Sequence, residues 1–141
     1  MALDIQILED GFLDILQNPP QNIDEYIDRV CENFHQYASA VIPASSTSNA
    51  ALQAMKSIMP VAPRMENVYR TYVNILATGM ITSNFNGTPP PSLLVFDSLL
   101  PLGLSGQQEQ SALGMAHIIH TWMKTGLATL IPSPHTTVNW S

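Results

Sequence analysis

Eleven prolines decide what this 141-residue chain can become. They stand at Pro19-Pro20, Pro43, Pro60, Pro63, Pro89-Pro90-Pro91, Pro101, Pro132 and Pro134. Proline lacks a backbone N–H, clashes with the preceding helical turn and pushes the residue before it out of helical conformation. Helices therefore have to fit between these points, and the intervening segments carry helical spacing. Ala2 to Gln17 repeats Leu8, Phe12, Ile15 and Leu16; Gly11 weakens it and Asn18-Pro19-Pro20 ends it. Ile23 to Val41 is the clearest helix, with Tyr26, Ile27, Val30, Phe34, Tyr37 and Ala38 on one stripe and Pro43 beyond its end. Asn22 and Glu25 before it have the spacing of a capping box. A short helix over 49–59 turns Leu52, Met55, Ile58 and Met59 inward, and a longer one over 64–83 turns Met65, Val68, Tyr69, Tyr72, Leu76 and Met80 inward. Gly79 marks either the true end of that helix or the close approach of another backbone. The last helix starts at Ser105, which repeats the box spacing with Gln108, and runs to about Lys124 with Gly126 as its C′ residue.

The remaining segments read as connections. The run of three prolines before Ser92 favours polyproline II. Leu93 to Leu100 is a short apolar element, either a brief buried helix or a strand. Residues 127–141 are rich in Thr and Val and extended in character. A faint echo links Ala77-Thr78-Gly79-Met80-Ile81-Thr82 with Lys124-Thr125-Gly126-Leu127-Ala128-Thr129, though two short matches establish no repeat. The expected fold is all-α: a compact bundle of five or six helices over residues 1–126, with Pro-rich connections and an extended C-terminal tail or arm over 127–141. Strands and helices do not alternate, which argues against a parallel α/β sheet.

Charge narrows the function. Residues 1–32 hold eight acids against Arg29, a net of −7, whereas residues 33–141 carry a net of +1. Overall 11% of residues are charged, against roughly 25% in an average soluble domain. A surface of uncharged polar and apolar side chains suits a protein covered by neighbours. Five bases on a net-negative chain argue against nucleic-acid binding, which draws its affinity from Lys and Arg on phosphates. No stretch has the apolar length of a membrane span, and the first residues lack the basic start and apolar run of a signal peptide.

Chemistry-bearing patterns are sparse. Asp10 and Asp14, Asp24 and Asp28, and Asp28 and Glu32 are each four apart, so they share a polar helix face. Carboxylate pairs serve as acid and base only when burial splits their pKa values; here they read as an acidic surface facing solvent or a partner. His117 and His120 lie near one another on the last helix, without the H-E-x-x-H pattern of a zinc hydrolase; they read as polar packing or an interface hydrogen bond. Cys31, the single cysteine, reads as a small buried hydrophobe. Trp122 and Trp140 are candidate anchors, since Trp is enriched at binding hot spots. The expected partner-binding residues are thus Asp10, Asp14, Asp24, Asp28, Glu32, Trp122 and Trp140, with no catalytic residue, cofactor, metal or small-molecule substrate.

The segment from Ala116 to Thr129, with its Ile119-His120-Thr121-Trp122 core running into a Thr-rich tail, resembles the C-terminal part of small virion proteins of tailed bacteriophages, over residues 107–141. The resemblance implies a structural subunit of a particle assembled in the host cytoplasm: a neck or head–tail connector, or a tail, baseplate or capsid-surface component. Other virion proteins would be its partners, with copies of the chain in a ring. On this reading the acidic helices meet a basic patch and the tail reaches into an adjacent subunit. The alternative is a small acidic helical adaptor or regulatory protein binding one partner.

Overall fold

A computed structural model of the chain describes residues 2–99, 106–132 and 136–141, without the Ser98 side chain. Among the described residues there are five helices, and four of them lie close to where periodicity puts them. In α1 (Ile5–Gln17) the Asp4 carboxylate accepts from the Gln6 N–H at 3.0 Å. Before α2 (Ile23–Ala38) the Asn22 side chain accepts from the Glu25 N–H at 2.8 Å, and the Glu25 carboxylate accepts in return from the Gln21 N–H at 2.9 Å. The capping box is real but closes one residue early. Such caps contribute about 1 kcal/mol each.

Helix α3 (Ser48–Ile58) is followed by α4 (Met65–Thr78), which tightens into a 3-10 turn at Gly79–Ser83. Both roles considered for Gly79 apply. It caps α4, and a Cβ there would fall 2.3 Å from Ser45 Oγ and Thr47 Oγ1. The crossing loop uses that closeness: Ser45 Oγ donates to the Leu76 carbonyl at 2.6 Å and Thr47 Oγ1 to the Ile75 carbonyl at 2.7 Å. Two carbonyls of the last turn of α4 are thereby satisfied. The fifth helix, α5, spans Gln108–Met123. The expected start at Ser105 lies outside the described residues, as does Leu100; Gln107 holds the cap position with no side-chain bond.

Phe34 anchors the core. Its ring meets Tyr69 and Tyr72 edge-on at 4.9 Å each and lies 5.9 Å from Tyr37. Helix α1 packs on α2 and α5, and α3 packs on α2 and α4. Gly11, read as a weakness in α1, is instead a point of approach. A Cβ there would strike the Asn33 side chain, whose Nδ2 donates to the Ile7 carbonyl at 2.9 Å.

The all-α expectation is corrected by a three-stranded antiparallel sheet of order β1-β2-β3: β1 Phe85–Thr88, β2 Leu127–Leu130 and β3 Thr137–Asn139. Phe85 faces Leu130, Thr88 faces Leu127, and Ala128 faces Val138. Strand β1 lies just before the proline run, and it fits there because Gly87 has no Cβ to collide with the Ala77 carbonyl, which lies 2.4 Å from where one would be. The two echoed segments turn out to lead α4 and α5 into neighbouring strands. Residues 93–96 are neither helix nor strand, and a 3-10 turn follows at Asp97–Leu99. No described helix is long and apolar enough to cross a membrane.

The tail is corrected too. It does not extend from the body but completes it. Trp140 is 0% exposed, its ring lies where a Cβ of Gly126 would be 2.3 Å away, and its Nε1 donates to the Leu127 carbonyl at 3.0 Å. Ser141 and Ile42 exchange two backbone hydrogen bonds of 2.7 and 3.0 Å. Gly126 therefore does not serve as a left-handed helix cap; among the described residues only Asn84 and Gly106 take positive φ. It is small because an indole covers it.

Trp140→Ala should lower stability by about 3–5 kcal/mol, and Gly126→Ala by about 1–3 kcal/mol through overpacking. Urea denaturation followed by circular dichroism measures both. A chain cut after Gly126 should lose its cooperative transition; a truncated chain unfolding like the full chain would contradict this packing.

Candidate functional site

The acids expected to form one electrostatic face are divided. Asp14 accepts from Arg29 Nη2 at 2.8 Å, and Glu25 lies 3.8 Å from Nη1 of the same guanidinium. Hydrogen bonds from Arg29 and Asn18 hold the Asp14 carboxyl below the usual carboxylate range. Lys56 reaches from α3 to Glu32 at 2.6 Å and Asp28 at 3.5 Å, and these partners raise its pKa. Asp14, Asp28 and Glu32 thus already face cations of their own chain. Asp10 accepts from Gln6 Nε2 at 2.7 Å, and Asp24 is exposed in the first turn of α2. Asp10, Asp14, Arg29, Glu32 and His35 line a groove of about 680 Å³ between α1 and α2. Its mixed charge differs from the purely acidic surface expected.

The buried polar groups are mostly spent on packing. Tyr37 Oη and His120 Nδ1 are joined by a 2.8 Å hydrogen bond, and Tyr72 Oη and His35 Nδ1 by another of 2.8 Å. His120 is therefore a packing group, one of the two roles the sequence left open, while His117 is exposed. Burial, aided by the charges of Lys124 and His117, lowers the His120 pKa. Cys31 is fully buried with Sγ 3.8 Å from Met59 Sδ, and burial pushes its thiol up to about 11. A thiol so held is inert at neutral pH. Among the described residues, no group of three or more His, Cys, Asp or Glu side chains is placed to hold a metal.

Both tryptophans are corrected from partner anchors to interior groups. Trp122 is 5% exposed, and its Nε1 donates to the Ser92 carbonyl at 2.9 Å. The Arg70 guanidinium lies 5.2 Å from the Trp122 ring centre and donates to the carbonyls of Pro90 and Ser92. Together they pin the Pro-rich strap that follows β1. The proline run stood out in the sequence, but Arg70 as its anchor did not. The signal was available in physical terms: prolines bring carbonyls without N–H groups, so a proline run needs outside donors, and bases are scarce in residues 33–141.

Fixing this strap leaves Leu93 82% and Val95 46% exposed while Leu94 points inward. They border a groove of about 380 Å³ shared with His117, Ile118 and Thr121. Ile42, Ile81, Ile131 and Val138 are also exposed, at separate points around the sheet. Ile131 is bonded to Asn84 beyond one end of the sheet, and Ile42 to Ser141 beyond the other. No protein-family model, curated protein or solved structure matches the chain.

The Lys56 bridge is exposed on its acidic side. Lys56→Met should change stability by less than about 1 kcal/mol, and the change should vanish in high salt; urea titrations at two ionic strengths check this. His120 predicts a pH effect of definite sign. Its folded pKa lies below the ordinary value of 6.5, so the unfolded chain binds its proton first. The stability from neutral His120 is complete above that value and declines as pH falls below it. NMR titration should place the His120 midpoint below the ordinary value of 6.5, and His120→Gln should flatten the acid-side loss of stability.

Proposed function

We propose that this chain is a non-enzymatic structural subunit of a viral particle, at the neck, the head–tail connection, the tail or the baseplate. The observation that carries the reading is the pinned strap, which presents Leu93 and Val95 to the outside on a base fixed by Arg70 and Trp122. A lone exposed leucine on a mobile loop means little. One held by a guanidinium and an indole keeps its place, so covering it does not require ordering the strap first. The sheet offers further exposed aliphatics, Ile131 beyond one end and Ile42 beyond the other, as material for a second contact. Two unlike surfaces meeting head to tail form the kind of contact that closes a ring when the rotation permits.

The resemblance to phage virion proteins supports the particle setting, and the low charge of the chain suits a covered surface. The stretch carrying that resemblance builds the interior: Ala116, Ile119, Trp122, Met123 and Ala128 are all buried. Assembly on this reading uses the strap and the exposed aliphatics around the sheet. An arm inserted into a neighbour plays no part in it, because the tail packs on its own body.

Sedimentation velocity on the full chain and on Leu93→Asp/Val95→Asp tests the proposal. The full chain should form a discrete oligomer. The variant should sediment as a monomer with an unchanged circular dichroism spectrum, since substitutions at such exposed sites cost at most about 0.5 kcal/mol each. A full chain that remains monomeric at high concentration, or a variant that assembles normally, would overturn it.

A further inference from the structure

The core holds an exception. Four of its amphipathic aromatic groups find partners: Tyr37 with His120, Tyr72 with His35, Trp122 with Ser92 and Trp140 with Leu127. Tyr69 does not. It is 1% exposed, and its hydroxyl is buried without a hydrogen-bonding partner among the described residues. An unpaired buried hydroxyl costs about 1–3 kcal/mol, and phenylalanine would fill the same space without that cost. The ring is held edge-on by Phe34 at 4.9 Å and by Phe96 at 6.1 Å, so it cannot readily turn to seek a partner.

Tyr69 lines a cleft of about 450 Å³ where α1, α2, α4 and α5 converge. The other walls are Phe12, Ile15 and Leu16 from α1, Tyr26 from α2, Met65 from α4 and Met115 from α5. Gln108, Ser111 and Ala112 stand on the α5 side, and the described lining contains no charged side chain. This is the composition of a small-molecule site, apolar with a few fixed polar groups, and its volume lies in the usual range. An ionic ligand would find no counter-charge here, which restricts the occupant to an uncharged molecule.

We propose that this cleft binds an uncharged apolar molecule bearing one hydrogen-bond acceptor, a ketone or alcohol oxygen, to which the Tyr69 hydroxyl donates. The hydroxyl is closed to outside water, so the acceptor reaches it by displacing a wall side chain. Met65 and Met115 are unbranched and adaptable enough to allow this. The site goes beyond the assembly reading and stands or falls separately from it.

The test uses the full chain and prodan, a neutral naphthalene ketone dye whose emission moves to the blue in dry, apolar surroundings. The wild-type chain should bind it saturably, one dye per chain, with decanol competing. Tyr69→Phe should weaken binding about three- to ten-fold, the effect of one hydrogen bond, while its urea midpoint stays equal or rises. Ala112→Trp should fill the cleft and abolish binding with the helical spectrum retained. Three results would overturn the proposal: no saturable binding by the wild type, equal binding by Tyr69→Phe, or equal binding by Ala112→Trp. So would a wild-type oligomer that Ala112→Trp dissociates, since that outcome assigns the cleft to a second copy of the chain.

Discussion

The seat of the Trp140 indole on Gly126 is the contact on which the rest of the architecture depends. It fixes where α5 ends, holds β2 and β3 to the body, and sets Ser141 beside Ile42. Strand β1 has its partner only because β2 is held in place, and β1 in turn lies on the last turn of α4 through Gly87. Burying an indole of this size contributes several kcal/mol. One residue near the end of the chain therefore joins the two halves of the core.

How much of this was legible follows from the range of each interaction. The helices α1 to α4 were, because apolar stripes, caps and prolines act within a few residues. The Asn22 box and the end of α4 at Gly79 were visible for the same reason. The sheet was not. Gly126 read as a helix-cap glycine and Gly87 drew no reading of its own, and nothing local shows that Trp140 and Ala77 press against them. Leu93 to Leu100 read as one buried element because its composition is apolar, yet with the strap held by Arg70 and Trp122, Leu94 and Phe96 face the interior while Leu93 and Val95 are exposed.

The candidate site was legible only as residue types. The acids were correctly placed on helix surfaces, but Arg29 and Lys56 meet three of them, and those pairings depend on how α1, α2 and α3 cross. The tryptophans were correctly singled out as large anchoring groups and wrongly assigned to partners. An indole anchors whatever surface folds over it, and here that surface is the chain itself. Tyr69 lay on the predicted stripe of α4 like its neighbours; its missing partner is a property of three-dimensional packing.

The distance along the chain between joined groups has a consequence during synthesis. Tyr37 and His120 are 83 residues apart, and α1 packs against α5 as well as α2. When α1 and α2 leave the ribosome, α5 does not yet exist, and one side of their apolar stripes stays uncovered. Exposed apolar surface on such intermediates drives association between chains. The net −7 carried by residues 1–32 opposes that association by mutual repulsion. Its concentration in the first two helices protects the part of the chain that waits longest for its partners.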